Sequence, residues 1–289
     1  MFELFLTALL WGFSYGINGM AMEFATATAM SLLFGVIGTF LFAPFAANGS
    51  SVGLRGRCMV AGAVQFGIMY YFYQSAFIHL ESHQVALLGL VTPIYVGLFA
   101  DLLGRRNPWQ NLFFALGAVS IAAFSFGGTS LGACNFRGAM ECQLANGAYA
   151  LGQVLYARLK QSHPELADRS ALFWMYLGSL PPLLVASALI PAVTPAQPFL
   201  WQGKQLAILL FLGIFCSGIG NYLWNRGIGR VSAGILLIAN NLPILFGVLF
   251  GIFLFGESGN GWRQIFGVGG LLSLLWLHSR VRPIADGRK

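Results

Sequence analysis

The sequence predicts an all-α integral membrane protein with ten transmembrane helices, arranged as two inverted repeats of five helices each. Three observations lead to this fold class. Of the 289 residues, 57% are hydrophobic and 9% are charged, whereas about 25% of residues are charged in a typical soluble domain. Ten apolar segments are long enough to cross a bilayer. Their pattern recurs in the two halves of the chain. The composition excludes a soluble enzyme and a disordered chain.

The predicted spans of the first half end at turn-forming or polar residues. Segment 2–20 begins without Lys or Arg, so we expect a membrane span rather than a cleaved signal peptide. Segment 27–47 ends at the turn-forming run 48–51, and segment 83–102 ends just before the polar run 105–108. Because a bilayer core requires roughly 20 apolar residues per helix, the first five spans are 2–20, 27–47, 58–79, 83–102 and 109–126.

The second half follows the longest break, at 127–138, and its last two spans are separated by the polar run 257–261. Its predicted spans are 139–160, 171–192, 203–227, 232–255 and 262–280. The sequence therefore predicts an N-terminal repeat (1–126), a C-terminal repeat (139–280) and a short basic tail (281–289).

The distribution of Lys and Arg predicts the orientation in the membrane. With a cytoplasmic N-terminus, thirteen of the 16 Lys and Arg residues lie on the cytoplasmic side, and Arg137, Lys204 and Arg263 lie outside. Membrane proteins concentrate these residues in cytoplasmic loops. We therefore expect both termini in the cytoplasm of a multi-pass protein of the inner (plasma) membrane. The net charge of +7 follows from this topology and predicts no nucleic-acid partner.

The two halves repeat each other at an offset of 150 residues. This shift places Pro93 on Pro243, while Trp109 and Trp262 open the last predicted span of each half. Because five is an odd number of spans, the halves must have opposite orientations. Inverted repeats build many secondary transporters, which hold the substrate near the midplane. The alternative is chance similarity among apolar helices.

Several short runs in the second half carry a resemblance to a known family. They are Gly220-Asn221-Tyr222-Leu223-Trp224-Asn225, Val231-Ser232-Ala233-Gly234, Asn241-Leu242-Pro243 and Phe255-Gly256-Glu257. They resemble the EamA repeat of the drug/metabolite transporter (DMT) superfamily. The first half resembles it through Leu10-Trp11-Gly12-Phe13-Ser14 and Thr92-Pro93, although Arg106-Asn107 replaces the Gly-Glu pair. The resemblance implies a ten-helix carrier, often an exporter of amino acids or other metabolites, with the aromatic amino-acid exporters as one branch.

Polar and aromatic side chains at membrane depth are the candidate substrate-binding residues. Polar groups are costly in hydrocarbon, so those at depth indicate either a site or interhelical hydrogen bonds. On three helices such residues recur on one face at helical spacing. These residues are Trp11, Tyr15 and Asn18 in the first span, Tyr70, Tyr73 and Gln74 in the third, and Asn146, Tyr149 and Gln153 in the sixth. Together they predict one cavity suited to aromatic or cationic ligands.

Prolines predict a helix break in each half. Pro93 and Pro243 lack an amide hydrogen and free a backbone carbonyl one turn earlier. Asn240 and Asn241 precede the second proline, and their carboxamides either bind a ligand or satisfy the broken backbone. Irregular backbone at membrane depth requires protein or a water-filled cavity around it.

The remaining polar residues give weaker predictions. His79 and Glu141 are candidates for proton coupling, although both lie near the outer membrane surface. Cys134 and Cys142 either form a disulfide or remain thiols. The sequence contains no Walker or HExxH motif, so no cofactor and no metal are expected.

The sequence therefore predicts a secondary transporter rather than an enzyme. We expect alternating access around a midplane cavity in the lipid bilayer, with a small-molecule substrate. Amino-acid export, with aromatic or other apolar amino acids as cargo, is the main hypothesis. Import or export of quaternary amines or other small neutral or cationic solutes is the alternative, and an intramembrane enzyme is a distant one. The oligomeric state stays open.

Overall fold

A computed structural model describes residues 1–46, 51–80, 82–104, 109–125, 135–189, 200, 202–254 and 261–280. Within these residues every regular element is a helix. The first half contains α1 (Phe2–Met22), α2 (Ala27–Phe42), α3 (Val52–Gly62), α4 (Met69–His79), α5 (Ser82–Gly89), α6 (Thr92–Gly104) and α7 (Trp109–Ser125). The second half contains α8 (Phe136–Ser162), α9 (Asp168–Leu189), α10 (Gly203–Leu210), α11 (Gly220–Ile228), α12 (Ala233–Ala239), α13 (Leu242–Leu254) and α14 (Gly261–Arg280).

Several of these helices are joined end to end. A 3-10 turn, Ala43–Phe45, extends α2. A π-helical segment, Ala63–Ile68, joins α3 to α4, and a second one, Phe211–Ile219, joins α10 to α11. π-Helical turns inside α-helices are rare and often lie at functional sites.

Five helical stretches in the described part of the chain are long and apolar enough to cross a membrane. They are Phe2–Ala21, Ala27–Phe45, Gln84–Gly104, Asp168–Leu189 and Gly203–Ile228. The protein is therefore an all-helical, multi-pass membrane protein over its described residues. The count of ten spans and the inverted repeat go beyond these five stretches and stay predictions.

α9 starts at Asp168, three residues before the predicted boundary at 171. Two further helix starts differ from the predicted span boundaries because polar caps begin the helices before the apolar segments. α3 starts at Val52 rather than 58, since the Ser51 hydroxyl accepts the Leu54 N–H at 3.3 Å. α8 starts at Phe136 rather than 139, since Asn135 Oδ1 accepts N–H groups of the first turn. The tail 281–289 and Cys134, with its predicted disulfide alternative, lie outside the described residues.

Both helix breaks lie just before a proline. α5 ends at Gly89 and α6 begins at Thr92, immediately before Pro93. α12 ends at Ala239 and α13 begins at Leu242, immediately before Pro243. Because proline cannot donate a backbone hydrogen bond, each helix is interrupted one turn before it.

Close helix packing surrounds the centre of the molecule. α1 packs against α13 and α11, α4 packs against α8, and α2 packs against α9. Glycines permit two of the closest approaches. A Cβ on Gly12 would lie 2.5 Å from Phe246 Cβ, and one on Gly152 would lie 2.3 Å from Gln65 Cβ. These contacts hold α1 and α8 close to the helices that complete the cavity described next.

Candidate functional site

A cavity of about 140 Å³ lies between α1, α4, α8, the π-helical segment Phe211–Ile219, α11 and the two broken helices. Nine of the eleven predicted substrate-binding residues line it. They are Trp11, Tyr15, Asn18, Tyr70, Tyr73, Gln74, Asn146, Tyr149 and Asn240. The volume resembles that of a cavity of about 150 Å³ that admits benzene. A larger solute therefore requires the surrounding helices to separate.

The cavity wall is aromatic and polar, and no residue in the described part of that wall carries a formal charge. The remaining lining residues are Ser14, Phe34, Met69, Gly89, Thr92, Ala145, Leu212, Cys216, Ser217, Asn221, Pro243 and Ile244. Such a lining suits a ligand with apolar rings and a few hydrogen-bonding groups.

Trp11 forms a fixed aromatic side of the cavity. Its indole N–H donates to the Cys216 carbonyl oxygen at 2.8 Å. Its ring lies 6.0 Å from the Tyr149 ring at an interplanar angle of 68°, and 5.0 Å from the Trp224 ring. The hydrogen bond and the ring contacts hold the indole in one orientation.

The Gln74 carboxamide is oriented by its neighbour on α1. Gln74 Nε2 donates to Asn18 Oδ1 at 3.3 Å, and Asn18 Nδ2 donates to the Ser14 carbonyl oxygen. Gln74 Oε1 is buried without a hydrogen-bond partner. Gln74, a lining residue, therefore donates one hydrogen bond to α1 and has an acceptor oxygen without a protein partner.

Asn221 has the same arrangement, and the sequence analysis did not select it as a site residue. Asn221 Nδ2 donates to Tyr70 Oη at 2.8 Å, to Tyr176 Oη at 3.2 Å and to the Ser217 carbonyl oxygen at 2.8 Å. Asn221 Oδ1 is buried without a partner. The site therefore has a second oriented acceptor oxygen.

The hydroxyl of Tyr149 is a third buried polar group without a partner. Unlike the two carboxamide oxygens, it can both donate and accept. Buried polar atoms in proteins are nearly always hydrogen-bonded to protein, water or ligand. Three residues of the cavity lining therefore have a buried polar atom without a protein partner: two acceptor oxygens and one hydroxyl.

Gln153 and Asn241 are not among the lining residues. Gln153 and Asn240 exchange two hydrogen bonds, of 3.1 and 3.3 Å, between α8 and the break after α12. These two amides therefore form hydrogen bonds between helices, which is the alternative to ligand binding given for polar residues at membrane depth. Asn241 is fully buried, and neither polar atom of its side chain has a partner.

Of the two prolines, Pro243 lines the cavity and Pro93 does not. The break before Pro93 is satisfied by carboxamides of α8. The Leu88 carbonyl oxygen accepts Asn146 Nδ2 at 3.0 Å and Gln143 Nε2 at 3.2 Å.

The two residues predicted for proton coupling lie together, outside the cavity lining. His79 Nε2 is 3.8 Å from Glu141 Oε2, and Arg137 Nε is 3.1 Å from Glu141 Oε1. Among the described residues, no group of three or more His, Cys, Asp or Glu side chains is placed to hold a metal ion.

Comparison with known proteins gives the context of this cavity. Residues 148–279 match the profile of the EamA-like transporter family. Proteins named "Biotin transporter" from Salmonella typhimurium and Escherichia coli K12 are 31% identical over 96% of this chain and 92% of their own length. A "Probable biotin transporter" from Pseudomonas aeruginosa is 32% identical over 95% of this chain and 96% of its own. A crystal structure with 16% identity superposes with a TM-score of 0.71 and covers 95% of each chain, which indicates a shared fold.

Proposed function

This chain belongs to the EamA-like transporter family of the DMT superfamily, and from this we propose that it is a secondary transporter with biotin as its cargo. The proposal rests on the orientation of two carboxamides in the cavity. Gln74 and Asn221 use their N–H groups within the protein and keep acceptor oxygens free. The fused rings of biotin include a cyclic urea with two N–H donors and one carbonyl acceptor. The two acceptors and the Tyr149 hydroxyl supply the complementary groups.

The relatives named for biotin support this cargo over amino-acid export, which was the main hypothesis from the sequence. The broader alternative, a transporter of other small solutes, agrees better with them. We therefore do not retain outward movement of amino acids as the proposed function.

Quaternary amines remain the second candidate because of the aromatic wall. The rings of Trp11 and Tyr149 line the cavity, and an aromatic face there can attract a cation. A quaternary amine has no N–H group, however, and would leave the oxygens of Gln74 and Asn221 without partners. Because buried acceptors without partners are costly, biotin is the better match.

Binding measurements on the purified protein separate these cargoes. We expect labelled biotin to bind, and unlabelled biotin to displace it, while phenylalanine and choline do not compete. Competition by phenylalanine would restore the amino-acid hypothesis. Competition by choline, without displacement by biotin, would favour the amines.

We further propose that the chain has ten transmembrane helices in two inverted repeats, 1–126 and 139–280. The helix breaks at 90–91 and 240–241 are separated by the same 150 residues as the two prolines. The π-helical segments, Ala63–Ile68 and Phe211–Ile219, are also at corresponding positions. The packing of α1 on α11 has a counterpart in the packing of α8 on α4. These correspondences support rocking of one half against the other.

Two ion-pair clusters have corresponding positions in these halves. Glu3, in the first turn of α1, is 2.8 Å from Arg230 and 3.7 Å from Arg226 near the end of α11. Glu141, near the start of α8, contacts His79 at the end of α4. With both termini cytoplasmic in an inner membrane, the first cluster lies inside and the second outside. We propose that these two ion-pair clusters close the two ends of the cavity. We also propose that His79 and Glu141, in the outer cluster, carry a coupled proton.

Labelling of Cys216, which lines the cavity, tests the inner cluster. In inside-out vesicles, Glu3→Gln should speed the reaction of the Cys216 thiol with a membrane-impermeant reagent by about two- to fivefold. This factor corresponds to the free energy that a partly exposed ion pair contributes. Glu165→Gln is the matched control, because Glu165 pairs with His163 within one loop. Equal labelling rates in the two variants would contradict the role of Glu3.

A further inference from the structure

The N-terminal end of α6 lies in the cavity wall. Its first residue, Thr92, lines the cavity and is 6% exposed. Gly89, the last residue of α5, lines it as well. The first-turn N–H groups of a helix have no acceptor inside that helix and mark the positive end of its dipole. Pro93 has no N–H, and the Ile94 N–H donates to the Val91 carbonyl oxygen at 2.9 Å. Of the first-turn groups, the Thr92 N–H therefore remains beside the cavity, together with the partial positive charge of the helix start.

The Thr92 side chain is a second, independent indication of a ligand at this position. Its hydroxyl has no hydrogen-bond partner within the described part of the chain, although the residue is more than nine-tenths buried. A buried hydroxyl facing a cavity without a protein partner is available to a bound molecule. It can donate one hydrogen bond, as can the Thr92 backbone N–H.

The corresponding helix of the second half lacks this hydroxyl. The offset of 150 residues places Leu242, the first residue of α13, on Thr92. Asn240 lies beside that helix start, but its Nδ2 already donates to Leu236 and Gln153. Asn241, directly before α13, has an Nδ2 without a partner, but it does not line the cavity. Of the side chains beside the two helix starts, Thr92 is therefore the one that brings a free donor to the cavity lining.

We propose that the N-terminal end of α6 binds the carboxylate of the cargo, with the Thr92 hydroxyl as its side-chain donor. This inference rests on the proposed biotin transport and assigns the group that the two carboxamides leave unaccounted for. A carboxylate cannot enter an apolar site without compensation. No described lining residue is Lys or Arg, so a helix N-terminus supplies the compensation, as it does for carboxylate substrates of other carriers.

Affinities for biotin and for biotinamide, its neutral carboxamide analogue, test the subsite. Thr92→Val keeps the side-chain shape and removes the hydroxyl. Hydrogen bonds to charged groups are stronger than those to neutral ones, so the Kd for biotin should rise about 10- to 100-fold and that for biotinamide less than about 10-fold. Thr92→Ser restores a hydroxyl and should recover most of the affinity for biotin.

Thr39→Val is the matched control, because the Thr39 hydroxyl bonds the Gly35 carbonyl oxygen within α2, away from the cavity lining. It should leave both affinities unchanged. Equal losses for biotin and biotinamide in Thr92→Val would assign Thr92 a structural role and overturn the subsite. Unchanged affinity for biotin would place the carboxylate elsewhere. Failure of the unmodified protein to bind either compound would refute the proposed cargo itself, and the subsite with it.

Discussion

Replacing Gln74 with leucine should weaken biotin binding more than its effect on folding explains. The change removes Gln74 Oε1, one of the two oriented acceptors, and introduces a side chain of similar size. It also removes the Nε2 hydrogen bond to Asn18 Oδ1 on α1. The variant therefore perturbs both the cavity and one contact between α4 and α1.

Gln65→Leu is the control that separates these effects. Gln65 Nε2 donates to Asn225 Oδ1 at 3.0 Å, and Gln65 Oε1 is also buried without a partner. Gln65 is fully buried but is not among the lining residues. Both substitutions thus remove a Gln-to-Asn hydrogen bond between helices, and only Gln74→Leu removes an acceptor from the cavity.

The magnitudes follow from the bonds lost. An interhelical hydrogen bond in a membrane protein contributes about 0.6 kcal/mol, with a maximum near 1.7 kcal/mol, so both variants should lose similar stability. A neutral hydrogen bond to the cargo contributes about 0.5–1.5 kcal/mol, so Gln74→Leu should raise the Kd for biotin about two- to twelvefold. Gln65→Leu should leave it within about twofold of the original value.

Equilibrium binding of labelled biotin, with thermal unfolding of the same preparations, measures both quantities. Equal increases in Kd for the two variants would mean that binding follows stability. That result would refute the assignment of Gln74 Oε1 as an acceptor for the cargo.

Two further substitutions, each compared with a second variant, test the cavity hydroxyl and the helix packing. Tyr149→Phe removes a hydroxyl without a protein partner and should raise the Kd for biotin about two- to twelvefold with little loss of stability. Tyr176→Phe removes a bond to the Ser217 carbonyl oxygen and should lower the unfolding temperature. Weaker biotin binding in Tyr176→Phe, with a lower unfolding temperature in Tyr149→Phe, would assign the cargo contact to Tyr176 and the packing role to Tyr149. Gly152→Ala should reduce the yield of folded protein, because its Cβ would meet Gln65 at 2.3 Å, whereas Gly147→Ala on the same helix has open space. Equal yields in size-exclusion chromatography would contradict this packing.

Helical spacing alone predicted which candidate residues share one face of a helix. Trp11, Tyr15 and Asn18 are separated by one and two turns, so they share a face of α1 in any tertiary arrangement. All three line the cavity. Spacing within a helix does not, however, specify which neighbouring helix a face meets.

Gln153 illustrates this limit. It follows Tyr149 at helical spacing, yet it lies where α8 contacts the break after α12 and bonds Asn240. Tyr149 lies one turn earlier and lines the cavity. The boundary between cavity and helix contact depends on the packing of α12, which a periodic pattern on α8 does not contain.

Asn221 was missed although a signal was present in the sequence. It is a polar residue within an apolar span, and the same depth criterion that selected Asn146 applies to it. In the sequence it belongs to the run Gly220-Asn221-Tyr222-Leu223-Trp224-Asn225, which carries the family resemblance. The orientation of its amide could not be predicted, because it depends on Tyr70, Tyr176 and Ser217 on other parts of the fold.

The choice of cargo also depended on these orientations. Amide and aromatic residue types are compatible with amino acids, amines and biotin alike. The distinction arises because Gln74 and Asn221 keep acceptor oxygens free while their N–H groups are used within the protein. Residue types specify which groups are available, and the tertiary structure decides which of them a ligand can reach.

Counterflow of labelled biotin in proteoliposomes tests the central claim most directly. Vesicles containing the protein are loaded with unlabelled biotin and diluted into a trace of labelled biotin, so that a carrier exchanges the two without an energy source. We expect transient accumulation of label that is absent from protein-free vesicles and unaffected by external phenylalanine or choline. Absence of exchange in vesicles that contain folded protein, or exchange abolished by phenylalanine, would contradict a biotin carrier built on this cavity.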